Sequence, residues 1–168
     1  MSDKLTYLLS RRITNKSIWI VVAHDAGARI YKTVGKSGTL RIVRRISNPS
    51  GRYKGRQINA DRPGRVFSNS GVFHHALSRR IGPHDHNADV FAREIAAFVE
   101  KGRNTESFNH LVLIAEPKFL GKIRIALKGA TAKRIIKVIK SDFAYVPDTQ
   151  LPNKIKESLR ENGLLMAA

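Results

Sequence analysis

The chain has 168 residues, 31 Lys plus Arg against 13 Asp plus Glu, no cysteine and a formal net charge of +18 at pH 7. That length suits a single core burying roughly 68–70% of the unfolded chain's surface; a composition 42% hydrophobic excludes disorder as the governing state, and the lack of cysteine excludes disulfides and thiolate chemistry. So many like charges on one compact body repel one another, a cost relieved when a polyanion supplies counter-charge, so nucleic acid is the first partner to consider and an anionic membrane surface the second.

Leu5, Leu8 and Leu9, with Lys4, Arg11 and Arg12 around them, predict a short amphipathic helix over residues 3 to 12, an appendage within residues 1–16. Neither its apolar stretch nor Ile18 to Ala23 reaches the length of a secretory core or a membrane span, so a cytoplasmic location is expected. Ile18-Trp19-Ile20-Val21-Val22 is continuously apolar and largely β-branched, which predicts a strand buried on both faces. After a turn at His24 to Gly27, Ala28 to Val34 reads as a second strand. Beyond the turn Gly35-Lys36-Ser37-Gly38, Leu40, Ile42 and Ile46 alternate with Arg41 and Arg45 in a third, completing an antiparallel meander.

Residues 48 to 86 change character. Between Asn48 and Asn87 lie five glycines, three prolines, seven Arg or Lys, four histidines and two acids, without a sustained period. This predicts a long basic loop, a kind of segment that is usually functional or disordered when it interrupts a compact domain. Asn87 is then placed to cap a helix from Ala88 to about Lys101, with Phe91, Ile95, Phe98 and Val99 on its core face and Gly102 as its stop. Leu111 to Ala115 predicts another buried strand, Pro117 opens a helix through about Lys128, Ile135 to Ile139 predicts a further strand, and Leu151, Ile155 and Leu159 mark a terminal helix after Pro152. A meander followed by alternating helix and strand predicts an α/β fold on a mixed β-sheet with flanking helices, one domain over residues 17–162, and a tail at 163–168.

Several separated motifs then agree with one family. Asp61-Arg62-Pro63-Gly64-Arg65, His75-Ala76-Leu77, Phe91-Ala92-Arg93-Glu94-Ile95-Ala96, and the run Leu111-Val112-Leu113-Ile114-Ala115-Glu116-Pro117-Lys118-Phe119-Leu120-Gly121 resemble the bacterial family described as protein required for attachment to host cells, over roughly residues 17 to 160. That family is similar in turn to the middle domain of archaeal and eukaryotic class-one peptide-chain release factors and of the ribosome-rescue factor pelota. The resemblance implies a mixed, ribonuclease H-like α/β sandwich whose long loop after the third strand reaches ribosomal RNA. In release factors this loop carries Gly-Gly-Gln. This chain has no such motif; its glutamines are Gln57 and Gln150, and the loop presents Ser68-Asn69-Ser70-Gly71, so peptide release is not implied. A second departure is His24-Asp25-Ala26-Gly27, where the family more usually begins the turn with Ala-Asp.

Within the loop, Arg52, Lys54, Arg56, Arg62, Arg65, Arg79 and Arg80 form a candidate phosphate-contacting set, joined by His74 and His75 as hydrogen-bonding partners of phosphate. The competing reading is a solvated loop whose charges keep the protein dispersed. Tyr53, Phe67 and Phe73 suit either base stacking or anchoring of the loop. A second basic run, Lys118, Lys122, Arg124, Lys128, Lys133, Arg134, Lys137 and Lys140, has no acid between Pro117 and Ser141, and like charges four apart repel unless something anionic lies against them. His74, His75, His84, Asp85 and His86 match no metal-ligand spacing, so neither metal nor other cofactor is expected. Asp61 and Asp85 are too few for two-metal nuclease chemistry.

The charge pattern supports a non-catalytic factor that binds RNA, and the resemblance implies the ribosome as its target, as in translation, ribosome hibernation or rescue. The alternatives are a host-cell attachment protein acting directly or indirectly and, third, a small nuclease.

Overall fold

The computed structural model describes residues 17–35, 38–53 and 83–164. The helix predicted over residues 3 to 12, the tail beyond residue 164 and most of the 48–86 segment lie outside the described residues.

Five strands, β1 (Ile18–His24), β2 (Gly27–Val34), β3 (Thr39–Ser47), β4 (His110–Ala115) and β5 (Ile135–Lys140), form one sheet in the order β3-β2-β1-β4-β5. β1 pairs antiparallel with β2, and β2 with β3, whereas β4 runs parallel to both β1 and β5. This is the mixed α/β sheet that the alternation of elements predicts. The helices are α1 (Pro83–Asn104), α2 (Pro117–Ala126), the four-residue α3 (Gly129–Ala132) and α4 (Leu151–Glu161).

β1 and β4 lie in the middle of the sheet, which is why their sequences are unbroken apolar runs: a strand covered on both faces has no position to give to water. Trp19, Val21 and Ala23 of β1, with Leu111, Leu113 and Ala115 of β4, face one side and pack beneath α1 and α2 through Phe91, Ile95, Val99, Phe119 and Ile123. Ile18, Ile20 and Val22, with Val112 and Ile114, face the other side and are covered by Leu151, Ile155 and Leu159 of α4. Each such fully buried Val, Leu, Ile or Phe side chain contributes about 1.5–3 kcal/mol relative to exposure.

The two edge strands each carry an irregularity. Ile30 pairs with Arg44 but Tyr31 pairs with Ile42, so Val43 is an extra residue in β3. That bulge switches the side on which the apolar residues of β3 fall: Leu40 and Ile42 pack on the α4 side, Val43 and Ile46 on the α1 side. The simple alternation of Leu40, Ile42 and Ile46 read from the sequence therefore breaks at Val43. In β5 the register shifts between Leu111 and Val112, opposite Ile136.

Helix boundaries also differ from the sequence reading. α1 begins at Pro83, a residue suited to a first helical turn, so Asn87 lies inside the helix and the end of the 48–86 segment is helical. α1 also runs through Gly102 to Asn104. Gly102 is a packing residue: a Cβ there would run into the Trp19 ring. Trp19 has no room to retreat, being stacked on Phe98 at 5.7 Å and Phe108 at 4.8 Å between ring centroids. α2 stops earlier than predicted because Leu127 turns extended and buries its own side chain. α4 includes Leu151, with Pro152 in its first turn.

Candidate nucleic-acid interface

Because β1, β4 and β5 are parallel, the sheet has an amino end where they begin and a carboxyl end where they finish. α1 and α2 both run back from the carboxyl end to the amino end, since α1 leads into β4, α2 follows β4 directly, and β5 comes after α3. At the amino end the Asn109 amide donates to the Ser17 carbonyl at 2.9 Å, and the Leu111 amide to the Arg134 carbonyl at 2.8 Å.

The basic 48–86 segment departs from the carboxyl end. Its first residues are fixed at the β1–β2 turn: the Asn48 amide donates to the Ala26 carbonyl at 2.9 Å, and Asn48 Nδ2 to the Asp25 carbonyl at 2.6 Å. A 3-10 helix lies next, at Pro49–Tyr53, in which Gly51 sits so close to the turn that a Cβ would collide with the Asp25 carbonyl oxygen. The sequence does not announce this stem; a glycine beside a turn is too common a signal to mark it. Of the predicted loop cations, Arg52 has its backbone in the 3-10 helix, while its side chain and all of Lys54, Arg56, Arg62, Arg65, His74, His75, Arg79 and Arg80 lie outside the described residues.

The second basic run is described throughout, and it divides. Lys118 is exposed in the first turn of α2, near the carboxyl end. Lys122 faces α1, where its Nζ meets Asp89 Oδ1 at 2.5 Å. Its side chain is only 17% exposed, so this cation is committed to the seam between the helices, alongside the stacked Phe91 and Phe119 rings. Arg124 is exposed in the last turn of α2; Lys128 and Lys133 are exposed on either side of α3; Arg134 is exposed just before β5 and donates to the Asn109 carbonyl at 3.3 Å. These four gather at the amino end. Lys137 is half-buried within β5 opposite Val112, and Lys140 closes that strand at the carboxyl end.

Some cations elsewhere are matched, while the exposed Arg41, Arg93, Lys140 and Arg160 form no ion pair among the described residues. Arg29 Nε lies 2.8 Å and Arg45 Nη2 3.5 Å from opposite oxygens of Asp148. Tyr31 stands beside this group, and its burial holds the phenol pKa above the ordinary value, against the opposing pull of Arg29. Lys154 pairs with Glu157 at 2.9 Å, and the Arg44 guanidinium lies over the Phe98 ring at 5.8 Å.

Among the described residues no group of three or more His, Cys, Asp or Glu is placed to hold a metal ion, and no helix is long and apolar enough to cross a membrane.

The model of the family described as "Protein required for attachment to host cells" matches residues 19–155. The match takes in β1, both α1 and α2, and the Glu116-Pro117 junction at which α2 begins. No curated protein matches the chain. Among solved structures, an archaeal translation termination factor has a TM-score of 0.39 and 11% identity, covering 98% of this chain and 44% of its own. A structure titled only as an archaeal protein gives 0.38 and 11%, with 98% and 43% coverage. The chain thus spans under half the length of either, and these likenesses concern the arrangement of elements alone.

Proposed function

This chain belongs to the family of proteins required for attachment to host cells, and we propose that its molecular activity is non-catalytic binding of RNA or the ribosome, in a translation, hibernation or rescue-like role. The supporting observation is the unmatched charge at the amino end: Arg124, Lys128, Lys133 and Arg134 are exposed and form no ion pair among the described residues, in a chain of net charge +18. Side-chain cations stabilise helix C-termini by about 0.3–1 kcal/mol each, which accounts for Arg124 at the end of α2 but not for Lys128, Lys133 and Arg134 beyond it. Counter-charge from phosphate accounts for all four, since each phosphate neutralised releases condensed counterions.

In this reading the basic 48–86 segment, leaving from the Asn48–Tyr53 stem, adds further phosphate contacts. The expected result is cosedimentation with ribosomes that fades steeply as salt rises, and that weakens when Arg62, Arg65, Arg79 and Arg80 are changed together to Glu. Cosedimentation unaffected by that change removes the segment from the mechanism.

A second reading, direct action in attachment, is favoured by the family description itself. It places the protein on the outside of intact cells. Protease treatment of intact cells that leaves the protein untouched dismisses it, whereas digestion supports it.

A further inference from the structure

The amino end of the sheet holds more cations than the 118–140 run supplies. α1 ends there too, with Lys101 and Arg103 in its last turn. Arg103 Nε donates to Thr131 Oγ1 at 2.9 Å, which brings the end of α1 directly against α3 and so beside Lys128 and Lys133. Thr131 is itself buried, 1% exposed, so the Arg103 side chain is braced on the fold rather than free to drift. Three separate stretches of sequence thus place Lys101, Arg103, Arg124, Lys128, Lys133 and Arg134 at one end of one sheet.

What this end lacks among the described residues is as informative. Proteins that hold unpaired nucleic-acid strands combine a basic groove with exposed aromatic rings on which bases stack. Here the rings are turned inward: Trp19 is 4% and Phe108 2% exposed, locked in the stack beneath α1. The exposed apolar residue nearest these cations in sequence is Ile125, 78% exposed and aliphatic, with no ring to offer. The one strongly exposed aromatic among the described residues, Tyr145 at 95%, comes after β5 near the carboxyl end. Base-paired RNA, by contrast, is held largely through its phosphates and shape, with the bases inaccessible in a deep, narrow groove.

We infer that the amino end, formed by the last turns of α1 and α2 together with α3 and Arg134, is a sequence-independent surface for the phosphate backbone of double-helical RNA. The inference rests on the RNA-binding reading above and narrows it to one face and one class of partner. It adds Lys101 and Arg103, which lie outside the basic runs visible in the sequence.

The test compares the full-length chain with two triple variants of equal charge change. One reverses the surface (Lys101→Glu, Lys128→Glu, Lys133→Glu); the other reverses exposed or half-exposed cations elsewhere (Lys140→Glu, Lys154→Glu, Lys156→Glu). Each is titrated by fluorescence anisotropy against an RNA duplex of mixed sequence and against a uridine homopolymer strand with the same number of phosphates. Wild type is expected to bind the duplex more tightly than the strand. The surface variant is expected to lose at least about tenfold in duplex affinity and roughly two to three units of the slope of log affinity against log salt. The distal variant is expected to lose markedly less, and the surface variant to melt cooperatively only a few degrees below wild type, since its three lysines form no ion pair among the described residues and Lys101 adds only the small stabilisation of a cation at a helix C-terminus. Equal losses in the two variants, or a strand bound as tightly as the duplex, overturn the surface assignment while leaving RNA binding intact. Wild type binding neither RNA overturns the functional reading as well.

Discussion

Two regions of this molecule carry positive charge in opposite ways. At the α1–α2 seam and on strands β2 and β3, several cations are taken up by the fold: Lys122 meets Asp89, Arg29 and Arg45 share Asp148, and Arg44 lies on Phe98. At the amino end of the sheet, Lys101, Lys128, Lys133 and Arg134 have no acidic partner among the described residues. The difference teaches that net charge alone does not locate a binding surface. The proposed surface is drawn from charge left over after internal pairing, six cations of which stand where α1 and α2 end, beside others elsewhere such as Arg41 and Lys140.

The contrast can be broken from the inside first. The amino end is floored by the Trp19 stack, so Trp19→Ala should lower stability by about 3–5 kcal/mol, read by chemical denaturation. Gly102→Ala should cost about 1–3 kcal/mol by forcing the same ring, even though alanine is the better helix former by about 1 kcal/mol. A stabilised Gly102→Ala variant would mean that the stack is not rigid.

The matched cations should show small effects on stability and little on RNA binding. A double-mutant cycle on Asp89 and Lys122 should give a coupling of about 0.2–1 kcal/mol, because Asp89 is 38% exposed and solvent screens the pair. Asp148→Asn should cost under about 1 kcal/mol for the same reason, Asp148 being 47% exposed.

The smallest effect concerns pH. Burial raises the Tyr31 pKa above its ordinary 10.0, so the folded state keeps a proton that the unfolded state gives up. The stability tied to that proton is fully present below pH 10 and is lost as pH rises through the folded-state value. Tyr31→Phe should flatten the alkaline stability profile relative to wild type; an unchanged profile would assign the loss to other groups.

Much of the fold was legible because burial leaves a direct imprint. β1 and β4, covered on both faces, could only be apolar, and the amphipathic α1 and α4 announced their core stripes through Phe91, Ile95 and Val99 and through Leu151, Ile155 and Leu159. What was hidden depends on tertiary contact. The bulge at Val43 arises from how β3 meets β2, and the glycine at position 102 lies within the helix because Trp19 leaves no space there for a Cβ. The proposed interface was half visible for the same reason. A linear run of lysines and arginines marked residues 118 to 140, but it could not show that Lys122 turns inward to Asp89, nor that Lys101 and Arg103, flanked in sequence by Glu100 and Glu106, arrive beside α3.

The central claim is that leftover cations at the amino end neutralise RNA phosphates, and the salt dependence of duplex RNA binding by the intact chain tests it most directly. With six cations engaged, the slope of log affinity against log salt should be steep, about −5. An affinity that holds constant from low to high salt would contradict it.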